Sequence, residues 1–166
     1  MKRDFVLILA AVGIGCLVTA PADDAKTTSK TGMKTQMSKE HSAIVSVRYM
    51  IDDVDAAVAF YTNHLNFTLD VDSAPAFASV TRGNLRLLLS GEKSSGRKAM
   101  PDGTKPVPGG WNRILLEVTD INAEAARLRA AGVKFRRDDI VSGPGGSQIW
   151  VVDPSGNLVE LFQPKE

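Results

Sequence analysis

The sequence predicts an α+β fold built from two copies of one unit, which contains a strand, a helix and further strands. Asp53 and Asp120 each stand directly before a helical stripe of apolar or small residues, at offsets 0, 4, 7 and 11 in both copies. The closing strand of each copy starts with the tripeptide Gly-Asn-Leu, at 83–85 and 156–158. Such a repeat tends to form a two-fold shell, so it predicts a ligand cleft between the halves. The stripes are Val54, Val58, Tyr61 and Leu65, and then Ile121, Ala125, Leu128 and Gly132.

The first copy, residues 44–90, opens with a strand. Over Ile44–Ile51 one face is apolar and the other mixed, which is the period-two pattern of a strand with two different surroundings. Asp53 is predicted to cap the helix, because its carboxylate accepts hydrogen bonds from free backbone amides, and the helix should run to about Leu65. Three more strands are predicted, near 67–71, 76–82 and 84–89.

A segment rich in Ser, Pro and Gly, 91–111, joins the two copies and is long enough to act as a lid or crossover. The second copy, 112–163, repeats the order of the first. A loop is predicted over 138–146, and Asp153–Asn157 is predicted to form a tight turn between the last two strands, since Pro154 presets one dihedral angle. The predicted elements are strands 112–118, 133–136, 148–152 and 158–163, with a helix at 120–131.

Residues 1–22 are typical of a signal peptide. Basic residues precede the apolar segment Phe5–Val18, and a small-x-small site predicts cleavage after Ala22. Residues 23–43 are polar and predict a flexible tether. We therefore expect an exported protein, periplasmic or secreted. Two alternatives stay open: a lipid anchor on Cys16, the only cysteine, or a cytoplasmic protein if translation starts at Met33 or Met37.

Composition limits the partners. The chain has 166 residues and a formal net charge of +1, which gives no electrostatic reason to expect nucleic acid binding. The apolar segment near the N-terminus is too short for a comfortable membrane span, so no integral membrane domain is expected. A small molecule in the cleft is the expected partner.

The repeat resembles the vicinal oxygen chelate superfamily, the group of glyoxalases, bleomycin resistance proteins and extradiol dioxygenases. The resemblance is carried by the helix start Asp53–Tyr61, by the matching helix at Asp120, and by the closing motif Asp153–Phe162. It covers 44–163. It implies two tandem βαβββ modules, 44–90 and 112–163, that form a curved mixed sheet around a cleft, and it suggests a homodimer.

The resemblance also identifies four positions that hold a divalent metal in the family's enzymes. Seven residues before each helix cap stand Ser46 and Arg113, and alignment through the two Gly-Asn-Leu motifs adds Leu87 and Glu160. Of these, Glu160 alone is an ordinary ligand, and Arg113 places a permanent cation at the ion's position. The sequence therefore predicts a degenerate metal site without metal or other cofactor, in which Arg113 and Glu160 form an ion pair.

We expect a metal-independent small-molecule-binding protein. The alternative is a glyoxalase-like lyase or dioxygenase that uses a divalent metal, or that uses Glu160 as general base near a substrate polarised by Arg113; these two are the candidate catalytic residues. Trp111 and Trp150 could form an aromatic wall for a planar ligand. The expected ligand-binding residues are Ser46, Arg48, Leu87, Arg113, Glu117, Trp150, Glu160 and Phe162.

Overall fold

The computed structural model describes residues 43–166, which form two mixed sheets, two α-helices and one 3-10 helix, Ser95–Arg97. The expected signal peptide, Cys16 and tether residues 23–42 lie outside the described residues. No helix within 43–166 has the length and apolar character that crossing a membrane requires.

The first module contains four strands and one helix. Strand order is β1-β4-β3-β2, and the β1–β4 pair is parallel while the other pairs are antiparallel. The α+β class and the strand–helix–strands order are as the repeat predicts. The elements are β1 Val45–Met50, α1 Val54–Leu65, β2 Thr68–Ser73, β3 Phe77–Arg82 and β4 Leu85–Ser90.

The second module repeats this plan with one addition. Strand order is β5-β9-β8-β6, with β5 and β9 parallel, and β7 pairs with the free end of β8. The elements are β5 Arg113–Glu117, α2 Ile121–Ala130, β6 Lys134–Phe135, β7 Val141–Gly143, β8 Gly146–Val152 and β9 Leu158–Pro164.

Strand β7 is a departure from the sequence prediction, which had a loop over 138–146 and a βαβββ order. The pairing Gly143↔Gly146 closes a tight hairpin between β7 and β8. Gly146 has φ +152°, and a Cβ there would lie 2.1 Å from the carbonyl oxygen of Gln163, so the close approach of β9 requires glycine.

Both helices begin at the aspartates that the repeat identifies. Asp53 Oδ1 accepts from the amide of Ala56 at 3.0 Å, and Asp120 Oδ1 accepts from the amide of Ala123 at 2.9 Å. The apolar stripe of each helix packs on one face of its own sheet, so the other face of each sheet is free to carry polar side chains. This second face is called the open face below.

Tyr49 connects the two modules. Its hydroxyl donates to the carbonyl oxygen of Leu158 and accepts from the amide of Ile114, both at 2.9 Å. A β1 side chain thereby satisfies backbone groups at the start of β5 and β9, where the pairing Arg113↔Leu158 begins. The contact fixes the edge of the second sheet that carries the candidate site.

The connecting segment 91–111 is held down along its length. Arg97 Nη1 donates to the carbonyl oxygen of Ile51 at 2.8 Å and to Asp52 at 3.0 Å. The amide of Gly109 donates to Asn157 Oδ1 at 2.8 Å. The segment therefore delivers Trp111 to the start of β5 from a position anchored on both modules.

Candidate functional site

The open face of the second sheet follows from the strand pairing. Arg113, Leu115 and Glu117 alternate along β5, and their direct partners in β9 are Leu158, Glu160 and Phe162. Side chains at alternate positions share a face, so these six line one surface. The intervening residues lie in the apolar core against α2: Ile114, Leu116, Val159 and Leu161.

Arg113 and Glu160 form an ion pair on this face. Arg113 Nε lies 2.5 Å from Glu160 Oε2, and the exposed fractions of the two side chains are 28% and 8%. A second guanidinium nitrogen, Nη1, donates to the carbonyl oxygen of Trp111 at 3.2 Å. The charge of a largely buried carboxylate is thus compensated at contact distance, as the resemblance led us to expect.

Two tryptophans and a second arginine extend the ion pair into a row. Trp150 lies opposite Glu160 in the β8–β9 pairing, and the Arg113 guanidinium stands 4.3 Å from its ring centroid. Trp111 contacts Trp150 edge to face, with centroids 6.4 Å apart. The Arg136 guanidinium lies 5.1 Å from the Trp111 ring centroid. The row therefore places two adjacent indole rings between two cations, and it ends on Glu160.

A shallow cleft borders the Trp111 end of this row. Its volume is about 270 Å³. Its walls combine the exposed indole of Trp111, the guanidinium of Arg136, and apolar side chains near the β8–β9 turn. The lining residues are Gly110, Trp111, Arg136, Val152, Gly156 and Leu158.

Five of the expected ligand-binding residues stand away from this row, and one of them, Leu87, lies in the core of the first module. Glu117 and Phe162 share its face but lie further along β5 and β9. Ser46 and Arg48 belong to the first sheet, where Arg48 Nη1 donates to Ser90 Oγ at 2.6 Å. The eight residues expected around one cleft are therefore distributed over two sheets.

The placement of Leu87 on the open face is wrong. Leu87 is fully buried in the core, opposite Val47 and Val80. Val47 and Ile114 are equivalent positions, because each stands six residues before its helix cap (53 − 47 and 120 − 114). Val47 pairs with Leu87 in β4, and Ile114 pairs with Val159 in β9, so Leu87 is equivalent to Val159. The structural counterpart of Glu160 in the first module is therefore Leu88. Alignment through Gly-Asn-Leu is off by one residue, which exchanges the faces.

The residues present do not fit a divalent metal. Leu88 offers no ligand atom, and Arg113 occupies the space in front of Glu160. Among residues 43–166 no three His, Cys, Asp or Glu side chains come together at a spacing that could hold an ion. The donor set of the second module is one carboxylate that is already hydrogen bonded to a guanidinium.

A buried polar cluster supports the site at the β8–β9 turn. Asp153 accepts hydrogen bonds from the Tyr61 hydroxyl, the Ser155 amide, and the backbone and side chain of Asn157, at 2.8–3.1 Å. Burial raises the pKa of Asp153 although these donors act in the opposite direction. Burial also raises the pKa of Tyr49 to about 12 and that of Tyr61 well above its usual range.

Sequence reasoning missed Arg136, Leu115 and Leu158. Arg136 ends the predicted strand 133–136, for which no role is predicted; in the structure its amide donates to the carbonyl oxygen of Trp150 at 2.9 Å. The sequence signal is the alternation of Lys134 and Arg136, which indicates a charged face at β6 and the residue that follows it.

The chain belongs to the Glyoxalase/Bleomycin resistance protein/Dioxygenase superfamily. The model of that family matches residues 43–161, which is most of the chain. A comparison with curated proteins gives no match.

Solved structures with the same fold include several members of this superfamily. A lactoylglutathione lyase from Agrobacterium tumefaciens is 23% identical, with a TM-score of 0.57, and the match covers 75% of this chain and 96% of that one. An antibiotic binding protein from Streptomyces sp. CB03234 is 26% identical, with a TM-score of 0.57 and coverage of 74% and 95%. A superfamily member from Sphaerobacter thermophilus is 26% identical, with a TM-score of 0.58 and coverage of 72% and 95%.

Proposed function

We propose that this protein binds a small organic molecule on the open face of its second sheet, without a metal ion. The observation that carries the proposal is the Arg113–Glu160 ion pair, 2.5 Å across, at the position that the family's metal enzymes use for their ion. An arginine there serves the electrostatic function of a cation that cannot dissociate. The likeness to an antibiotic binding protein, at 26% identity, supports a binding role.

Apolar and aromatic surface supplies the binding energy in this proposal. Trp111 is 64% exposed at one end of the row, and burying such a side chain under a ligand is favourable. Arg113 orients polar groups of the ligand, because its side chain is partly exposed while its position is held by Glu160 and Trp150.

The alternative chemistry, in which Glu160 acts as a general base, has less support. A general base must reach the proton that it removes. Glu160 Oε2 is engaged by Arg113, and the side chain is 8% exposed, so a substrate would have to displace the arginine first.

The experiment uses the intrinsic fluorescence of the chain. The sequence contains two tryptophans, Trp111 and Trp150, and both lie in the row described above, so all tryptophan emission reports on the site. We expect a panel of planar small molecules to contain compounds that change this emission saturably in the presence of EDTA. The variants W111F and W150F then assign the change to one end of the row. A panel with no saturating compound contradicts the proposal.

Metal content provides the second test. The full chain is incubated with Mn, Fe, Ni or Zn, desalted and submitted to elemental analysis. Substoichiometric metal in all four samples is expected. A stoichiometric ion that survives desalting contradicts metal independence and favours lyase or dioxygenase chemistry.

We also propose that the mature protein starts after Ala22 and is exported to the periplasm or secreted. The support is the signal-like pattern of residues 1–22. N-terminal sequencing of the protein recovered from cell fractions tests this. A chain that starts at Asp23 is expected; a modified Cys16, or a chain that starts at Met33 or Met37, contradicts it.

The open face also supports a homodimer, which we propose as the assembled form. β1 and β5 are the end strands of their sheets, and Leu115 exposes 48% of its surface beside Arg113. A second copy that covers this side would remove exposed apolar surface from water.

A further inference from the structure

The cleft beside Trp111 has a chemical character of its own. It borders the row of cations and indoles but lies at the β8–β9 turn, beyond the Arg113–Glu160 pair. Its charged wall is Arg136, and its apolar wall is formed by Trp111, Val152 and Leu158.

The two arginines of the row are in different electrostatic states. Arg113 is neutralised by Glu160 at 2.5 Å. Among the described residues, no carboxylate lies within 4.0 Å of the Arg136 guanidinium, whereas five other arginines have such partners: Arg86, Arg97, Arg113, Arg127 and Arg137. The row carries two cations and one anion, so its net charge is +1 (2 − 1).

The Arg136 guanidinium has an aromatic neighbour, although no acidic partner lies beside it among the described residues. The guanidinium stacks 5.1 Å from the ring centroid of Trp111, and the backbone amide of Arg136 is bound to the carbonyl of Trp150. Stacking leaves the N–H groups at the edge of the guanidinium plane available to a ligand. A carboxylate fits this planar fork through two parallel hydrogen bonds.

We infer that this cleft binds a monocyclic aromatic carboxylate, with its anionic group on Arg136 and its ring against Trp111, Val152 and Leu158. The volume of about 270 Å³ lies just below the usual range for ligand sites and suits one ring rather than a fused system. One negative charge balances the net charge of the row. This inference rests on the proposed small-molecule binding and specifies its ligand class.

Fluorescence titration of the full chain with three probes tests the inference. Benzoate carries both ring and charge, benzamide keeps the ring without the charge, and acetate keeps the charge without the ring. We expect benzoate to change tryptophan emission saturably, with an affinity at least about tenfold above that of benzamide or acetate.

Two matched variants separate Arg136 from general charge effects. R136Q should weaken benzoate binding about tenfold while leaving the weaker benzamide binding unchanged. R137Q removes the same charge one residue away, from a side chain that pairs with Asp139 in solvent, and should leave both unchanged. Ligand-detected NMR on the same samples excludes inner-filter artefacts.

The outcomes distinguish this inference from the proposed function. Equal affinity for benzoate and benzamide, or equal weakening by R136Q and R137Q, overturns the aromatic carboxylate assignment. If another compound of the small-molecule panel still saturates the emission change, the binding function stands without that assignment. If no compound binds, both fail.

Discussion

Arg113 lies between Glu160 and Trp150, and each contact depends on the other. Glu160 is 8% exposed and has a guanidinium partner at 2.5 Å, while the same guanidinium stacks on the Trp150 ring. Removing the arginine would leave a buried carboxylate without its counter-charge, and such a loss costs more than the pair itself contributes.

The substitution R113L tests this dependence. We expect it to lower the free energy of unfolding by about 1–3 kcal/mol, between the values for exposed and buried pairs, because Arg113 retains partial exposure. In R113L/E160Q the loss should be smaller than the sum of the single losses. Urea unfolding at pH 7 measures the free energy of unfolding of each variant. The exposed pair Arg137–Asp139 is the control, and R137L should cause no measurable change. Wild-type stability and unchanged ligand binding in R113L would argue against any role for the pair.

Tyr49 makes stability depend on alkaline pH. Burial raises its pKa to about 12, whereas an unfolded tyrosine ionises near 10. A raised pKa in the folded state stabilises the protein below the unfolded pKa, and this contribution is lost as pH rises from 10 to 12. The loss amounts to about 2–3 kcal/mol.

The variant Y49F isolates this contribution. At pH 7 it should be less stable by about 1–3 kcal/mol, because the Ile114 amide and the Leu158 carbonyl lose their partner. Between pH 10 and 12 its stability should fall less steeply than that of the wild type. Urea unfolding at a series of pH values gives both slopes, and identical slopes would contradict the prediction.

At the scale of elements, the Asp153–Asn157 turn contributes more than a helix cap does. The Asp153 carboxylate accepts four hydrogen bonds, one of them from Tyr61 in the first module. Asp53 and Asp120 each accept one amide hydrogen bond at the start of a helix.

We therefore expect D153A to cost about 3 kcal/mol or more, since it leaves several buried donors unsatisfied, and D53A or D120A to cost about 1 kcal/mol. Thermal and urea unfolding of the three alanine variants, which delete the same side chain, provide the comparison. Equal losses in all three would show that the turn does not hold the modules together.

The elements were predictable from sequence, but one strand register was not. The helix stripes and both capping aspartates are as expected, because period and cap chemistry are local properties. The face of β4 depends on its pairing with β1, where Val45 opposes Leu85, while Arg113 opposes Leu158 in the second module. That offset of one residue is set by the pairing of strands that are distant in sequence. It places the Leu87 side chain in the core and not on the open face.

At the scale of the molecule, the Arg113–Glu160 pair was predictable because the resemblance places both residues on neighbouring strands. The cleft was not, because Trp111 comes from the connecting segment and Arg136 from the residue that follows β6. The anchoring of segment 91–111 through Arg97 and Gly109, together with the hydrogen bond from Arg113 to the Trp111 carbonyl, holds Trp111 at this position.

Leu115 provides the test of the proposed dimer. It is 48% exposed in the middle of β5, an end strand, and stands between Arg113 and Glu117 on the open face. We expect the wild type to sediment as a dimer at micromolar concentration and L115E to shift toward monomer, because a charge in an apolar contact is costly to desolvate. V107E is the control: Val107 is 69% exposed in the connecting segment, outside the strands, and this variant should leave the mass unchanged. If the wild type sediments as a monomer, the proposed dimer does not form. If L115E and V107E behave alike, the dimer contact does not include Leu115.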